Sequence, residues 1–195
     1  LIYLNGKCVQ WPYGGNIVTE KETSVPTGVL LAAERAVTMA GTIQPTPSLV
    51  LDVGCGYGKY GVLLREYLEP TPVVHGVEAW QPYVEQHKLR GIYDHLYVGD
   101  ALDLSPSVVN VYGLVMMGDV IEHMPKDKAL NFLTMCKWWV VIATPVHFFE
   151  THGDLPPTEA HVSHWSREDF ESTNRLDHYE ESYGCIIVRL HQTIP

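Results

Sequence analysis

The residues best suited to chemistry begin in the stretch Leu49-Val50-Leu51-Asp52-Val53-Gly54-Cys55-Gly56-Tyr57-Gly58-Lys59-Tyr60, where an apolar segment runs into glycines at 54, 56 and 58. Glycines let a backbone turn sharply and let a ligand approach with no Cβ in the way. If a helix follows, the amides of its first turn point partial positive charge at that ligand, which suits a carboxylate or a phosphate. Gly56, Gly58 and Gly61 fit the GxGxxG spacing of a dinucleotide site, and a tight strand–helix turn by itself also calls for glycine. Asp52 separates these readings. A strand meeting a pyrophosphate stays apolar up to its glycine, whereas a carboxylate two residues before Gly54 suits a ligand carrying an ammonium.

Three more loops carry polar groups. Val73-Val74-His75-Gly76-Val77 leads to Glu78-Ala79-Trp80, and an acid at such a strand end accepts from both hydroxyls of a ribose. Trp80 either stacks on a base or shields the loop. Tyr97-Val98-Gly99 leads to Asp100-Ala101; Asp100 either meets the amino group of an adenine or caps a turn. Leu114-Val115-Met116-Met117 leads to Gly118-Asp119-Val120-Ile121-Glu122-His123. There Glu122 and His123 are either a hydrogen-bonded pair supporting the loop or catalytic groups.

The elements that must position these loops alternate. Helices are expected over 28–41, 60–69, 81–90 and 126–137, the first stopped by Gly41 as a left-handed cap. Strands are expected over 48–53, 72–77, 95–98, 113–118 and 138–143. Strands this hydrophobic are covered on both faces, as in a parallel sheet, and right-handed crossovers bring their carboxyl ends to one edge. Segments 178–182 and 185–191, split by Tyr183-Gly184, read as an antiparallel hairpin. The expected fold is therefore α/β: a doubly wound, mostly parallel seven-stranded sheet with a C-terminal antiparallel hairpin and helices on both faces. One domain spans 1–195, with an irregular arm over 1–27, a cofactor-binding core over 28–145, an insertion over 146–166, and a helix and closing hairpin over 167–195.

The order Asp52-x-Gly54-x-Gly56-x-Gly58, Glu78, Asp100-Ala101, Asp119-Val120-Ile121-Glu122-His123 resembles the class I S-adenosylmethionine-dependent methyltransferases. Within them it resembles the small-molecule branch that includes the ubiquinone-biosynthesis O-methyltransferases. The resemblance covers about residues 48–145. It implies a Rossmann-like methyltransferase fold and S-adenosylmethionine as cofactor, bound by Asp52, Gly54, Cys55, Gly56, Gly58, Glu78, Ala79, Asp100, Ala101, Gly118, Asp119, Val120 and His123. Asp52 would hold the amino group, Glu78 the ribose and Asp100 the adenine, with Ala101 beside the ring. His123 would sit near the transferred methyl. Neither Gly118-Asp119-Val120-Ile121 nor Ala143-Thr144-Pro145-Val146 matches the Asn/Asp-Pro-Pro-aromatic signature of enzymes that methylate DNA amines.

An acceptor wall should come from outside the common core. The arm offers Tyr3, Trp11 and Tyr13 as an aromatic lid. The insertion offers His147, His152, His161 and His164, and its ending His161-Val162-Ser163-His164-Trp165-Ser166 also looks like the small-molecule branch. Long loops of this composition are often functional. The catalytic candidates are His123, His147, His161 and His164. With Asp154 the insertion histidines carry metal-ligand chemistry, but no full ligand motif appears and no metal is assigned.

With 13 basic and 23 acidic residues among 195, the net charge is −10. Such a surface repels phosphate backbones, so nucleic acid is not expected as a partner. No apolar run reaches the roughly 20 residues that span a bilayer, and no membrane partner is expected. Cys8, Cys55, Cys136 and Cys185 form no CxxC pair, as expected of a reduced cytoplasmic chain. The function expected is methyl transfer to a small molecule. Its competitors are a nicotinamide-dependent oxidoreductase, against which Asp52 and the lack of a Tyr-x-x-x-Lys dyad speak, and a non-catalytic adenosylmethionine-binding module.

Overall fold

A computed structural model describes residues 2–4, 7–9, 27–147 and 156–192. Strands β1 (Ile2–Leu4) and β2 (Lys7–Val9) pair antiparallel in a ribbon of their own, within the stretch expected to be irregular. Three residues per strand are too few to leave a readable period. Helix α1 (Thr27–Gly41) then leads to β3 (Leu49–Val53), α2 (Lys59–Tyr67), β4 (Val73–Glu78), α3 (Gln81–Gln86) and β5 (His95–Val98). Helix α4 (Pro106–Val109), β6 (Leu114–Gly118), α5 (Lys126–Met135), β7 (Trp139–Pro145), α6 (Arg167–Glu171), β8 (Leu176–Ser182) and β9 (Cys185–Leu190) complete the order.

The main sheet has seven strands in the order β5-β4-β3-β6-β7-β9-β8. All pairings are parallel except β7 with β9 and β9 with β8. Tyr183 and Gly184 both take left-handed conformations, φ 56 and 77, which is what a two-residue turn between twisted antiparallel strands demands. From β3 the chain winds outward to β4 and β5, then returns to β6 on the other side. That reversal opens a crevice between the loops after β3 and β6.

Alternation along the strands divides the core between the two faces. Val50, Val74, Leu114, Met116 and Val141 pack under α1, α2 and α3. Leu51, Val53, Val115, Met117 and Ile142 pack under α4, α5 and α6. Every residue of β6 is buried, each large side chain contributing about 1.5–3 kcal/mol of burial.

Gly41 and the end of α3 depart from the sequence expectation. Gly41 is not left-handed: the helix tightens as Thr42 and Ile43 donate to the carbonyls of Met39 and Ala40, both at 3.1 Å. Helix α3 stops at Gln86 because Lys88 turns left-handed, φ 52, and this swings Leu89 and Ile92 into the core. Helix α4 was not anticipated; its four residues are too few for periodicity to show.

The edge of the sheet opposite the crevice is fastened by Arg175, which is 6% exposed. Its guanidinium donates to the carbonyls of Leu133 at 2.8 Å, Trp138 at 2.5 Å and His191 at 2.8 Å, tying the end of α5 to β7 and β9. Charge-assisted hydrogen bonds contribute about 1.5–3 kcal/mol each, so Arg175→Met should cost at least about 3 kcal/mol. In urea unfolding the exposed Arg167→Met should serve as a near-neutral control, within about 0.5 kcal/mol.

Candidate functional site

The glycine loop is held through its backbone amides. Gly54 and Cys55 both donate to the Val77 carbonyl, at 2.9 and 3.0 Å. Gly56 donates to Glu78 Oε2 and Trp80 to Glu78 Oε1, each at 2.7 Å. Glu78 is 5% exposed, and burial pushes its carboxyl up while these amides pull it down. Each oxygen uses one acceptor position on a backbone amide, so each retains a lone pair.

The three glycines are left-handed, with φ of 70, 50 and 76, but their roles differ. A Cβ at Gly54 would run into Val120, and one at Gly58 into Ile92. At Gly56 a Cβ would touch nothing nearer than the Gly54 carbonyl, 3.9 Å away. Gly54 and Gly58 are therefore required by packing, and Gly56 lines the loop's accessible side.

Asp52 lies at the bottom of this loop, fully buried. Tyr93 donates to its Oδ2 at 2.5 Å, and Oδ1 has no hydrogen-bond partner of normal geometry among the described residues. Burial pushes the carboxyl up to about 7, against the opposing pull of Tyr93, Lys59 and the Gly61 amide. Cys55 is buried beside it, and its thiol donates to the Asp52 carbonyl at 3.6 Å.

Asp100 and Ala101 stand at the end of β5. Asp100 is exposed, and its Oδ1 caps the turn Ala101–Asp103 by accepting from Leu102 at 2.9 Å. Ala101 is buried, and Ala79 beside Glu78 is exposed. At the end of β6, a Cβ on Gly118 would overlap the Tyr60 ring. Asp119 takes a left-handed φ of 55 and donates its amide to the Ala143 carbonyl at 2.8 Å. Its Oδ2 accepts from Lys59 Nζ at 2.7 Å, an ion pair that spans the crevice from the first residue of α2. Lys59 was not singled out from the sequence. Its partner lies 60 positions away, and its only signal was its place at the exit of the glycine loop.

Glu122 and His123 do not pair with each other as considered from the sequence. Glu122 is 4% exposed and accepts from the Thr144 hydroxyl at 2.9 Å. Burial, with Asp119 nearby, pushes its carboxyl up to about 8. His123 Nδ1 donates to the Ala160 carbonyl at 3.1 Å. The end of the insertion is bound to this same turn: Val162 and Ser163 both donate to the Glu122 carbonyl, at 2.8 and 3.0 Å. Trp165, 1% exposed, donates from its indole to Ile121 at 3.3 Å and to Ser163 Oγ at 2.9 Å. This docking sets the rings of His123 and His161 4.9 Å apart, edge to face. Burial lowers the basicity of both imidazoles.

The other two histidine candidates stand apart from that pair. His164 is exposed and donates from Nε2 to the Val146 carbonyl at 3.1 Å, joining the insertion's two ends. His147 is also exposed. His152, Asp154, Trp11 and Tyr13 lie outside the described residues. The last helix is capped by Asp169, whose Oδ2 accepts from the Ser166 amide at 2.8 Å.

A mostly parallel sheet with a glycine loop and acidic strand ends at its switch point is a Rossmann-like arrangement, with its ligand crevice at that point. Residues 51–137 match the family model described as "Methyltransferase domain", and with the fold this match supports a class I S-adenosylmethionine-dependent methyltransferase. Similar solved structures are magnesium protoporphyrin IX methyltransferase from Synechocystis PCC 6803 with bound S-adenosylmethionine, the N-terminal domain of EvdMO1 with S-adenosylhomocysteine and D-fucose, and the plantazolicin methyltransferase BpumL with S-adenosylhomocysteine. The first has a TM-score of 0.63 and 15% identity, over 89% of this chain and 88% of that one. The second has 0.62 and 15%, over 88% and 86%. The third has 0.63 and 11%, over 86% of each. At these identities the likeness is one of fold. No curated protein sequence matches the chain.

The buried Asp52 gives a pH signature. Its folded carboxyl titrates near 7, above its ordinary 3.8, so between these values the native chain keeps a proton that the unfolded chain has released. Stability of the ligand-free protein should therefore fall as pH rises from about 4 to about 7, by at most about 1.4 kcal/mol per unit from this group. Urea unfolding at steps between pH 5 and 7.5 should show this slope, and Asp52→Asn should lessen it. An unchanged slope in the variant would mean that Asp52 is ionised in the native state.

Proposed function

We propose that the chain transfers the methyl group of S-adenosylmethionine to a small-molecule acceptor in the crevice between the loops after β3 and β6. The observation that carries this reading is the docking of the insertion on the Glu122 carbonyl, which sets His161 beside His123 at the edge bearing the glycine loop. An acceptor there would meet imidazoles on one side and the donor on the other.

The residues at the crevice fit the donor. Asp52 offers a buried oxygen without a partner of normal geometry, suited to an ammonium directly or through one water. Gly56 leaves its loop open to close approach. Glu78 retains lone pairs for two ribose hydroxyls, and the second oxygen of Asp100 is suited to an adenine amino group. When bound, the donor supplies a sulfonium methyl for in-line displacement. The chain's task is then alignment and exclusion of water, with proton removal where the acceptor starts as a hydroxyl.

Several observations favour a small acceptor over nucleic acid. The net charge is −10. Lys59 is paired with Asp119, and Arg35, Arg65, Arg167, Arg189 and Lys126 are also in ion pairs, so these six basic groups are already matched by acids. Magnesium protoporphyrin IX methyltransferase and the plantazolicin methyltransferase share this fold, and their names are those of small molecules. No helix among the described residues is long and apolar enough to cross a membrane. The buried free thiols Cys55, Cys136 and Cys185 suit a reducing compartment, and we assign the chain to the cytoplasm.

Calorimetric titration with S-adenosylhomocysteine, with NADH in parallel, tests the donor assignment: the former should bind saturably and the latter should not. Glu78→Ala removes the ribose acceptor and should weaken S-adenosylhomocysteine binding by about 1.5–3 kcal/mol per lost hydrogen bond. Unchanged affinity in that variant would sink the ribose assignment, and binding of NADH alone would sink the donor itself.

A further inference from the structure

We infer that His75 and His95, on neighbouring strands at one edge of the sheet, bind a single divalent ion of the imidazole-seeking kind, such as zinc, nickel or copper. The site lies apart from the crevice and does not rest on the methyltransferase reading. In the parallel register of β4 with β5, His75 stands directly opposite His95. Side chains of such a pair share one face of the sheet, here the face of α4, α5 and α6, to which Val77 and Tyr112 also belong. Helix α4 has only four residues, and His95, at the start of the edge strand, is exposed while His75 is half-buried. The two rings are 5.3 Å apart between centroids, at 61° to each other. Imidazoles whose nitrogens each sit about 2.0–2.1 Å from one tetrahedral ion stand roughly 5 Å apart in the same measure. The spacing is already that of two ligands of one ion.

Two tyrosines fix the rings. Tyr112, 2% exposed, donates its hydroxyl proton to the Tyr97 hydroxyl at 3.4 Å, and its oxygen accepts from His75 Nδ1 at 2.9 Å. That places the imidazole proton on Nδ1 and leaves Nε2 with its lone pair. Such a partner on the other ring nitrogen is what orients a metal-bound histidine. The His95 ring stands edge-on to Tyr97, 4.4 Å between centroids. Burial lowers the basicity of His75 and His95 beside it lowers it further, against the pull of Asp94. The neutral imidazole so favoured is the form that binds metal.

Two nitrogen ligands, with water completing the shell, suit zinc, nickel or copper over magnesium and calcium, which take oxygen. The ion would stand away from the transferred methyl, since His75 precedes Glu78 by three residues of strand, about 10 Å. Its effect there would be to brace the sheet. Strand β5 is an edge strand of four residues that pairs only with β4. A link between side chains at its first residue adds to the backbone ladder, and it joins the two strands whose ends lead to Glu78 and Asp100.

The test is a titration of the EDTA-dialysed full chain with Zn²⁺ in competition with a chromophoric chelator. His75→Gln and His95→Gln should each lose one ion that the native chain binds, and the double variant should lose that same ion and not two. Zn²⁺ should also raise the unfolding temperature of the native chain more than that of His95→Gln. The exposed position of His95 lets that variant fold even if the loss of the Tyr112 contact unsettles His75→Gln. A native chain that binds no Zn²⁺ overturns the site, as does a folded His95→Gln that binds as many ions as tightly or gains as much in unfolding temperature. Loss of two ions in the double variant overturns it too, because the histidines would then bind separately.

Discussion

The glycine loop after β3 exists in its observed form because the neighbouring strand accepts its amides. A backbone with three left-handed residues in five positions has little intrinsic reason to hold one shape. Val77 and Glu78 supply that reason, one through its carbonyl and the other through carboxylate Oε2, while Glu78 Oε1 accepts from Trp80. The loop's shape therefore depends on the register of β3 with β4, in which Val53 stands opposite Val77. A one-residue slip would put a different side chain in Glu78's place and release the loop. The sheet is thus part of the site, not only a scaffold beneath it.

The second constraint joins the insertion to the turn after β6. Its attachments to Ile121 and Glu122 are mostly backbone carbonyl contacts, closed over by Trp165 stacked 5.3 Å from Phe170 of α6. Lys126 pairs with Asp169, the capping residue of α6, at 2.8 Å. The segment following the insertion is thereby bound to the start of α5. Fixing the end of the insertion this way limits where His161 can go.

Much of this was legible in the sequence for a simple reason. Strand ends in a parallel sheet converge on one edge, so Asp52, Glu78, Asp100 and Asp119 could be placed together from order alone. The seven strands and the hairpin turn at Tyr183-Gly184 were readable from apolar runs and turn chemistry. Lys59 with Asp119, and His123 with His161, were not readable as pairs, because 60 and 38 positions separate them and only the folded chain shows which loops touch. The glycines were readable as a motif but not by role: packing against Val120 and Ile92 explains Gly54 and Gly58. Gly41 misled because glycine permits a left-handed cap without requiring one. Asp100 carried two readings in the sequence, and the structure shows the cap, with Oδ1 accepting from Leu102.

The division of the core between the two faces of the sheet has a consequence for how such a chain can change over generations. Asp52, Tyr60 and Tyr93 belong to the layer of α1, α2 and α3, whereas Trp165 and Phe170, which anchor the insertion, belong to the opposite layer. Side chains of the two layers do not interdigitate, because the sheet lies between them. Substitutions around the insertion's anchor are absorbed mostly on one side, and reach the glycine loop only where Val120 packs against Gly54. A lineage could exchange acceptors by drift in one layer while the other is held nearly constant, which is how a single fold comes to serve many compounds.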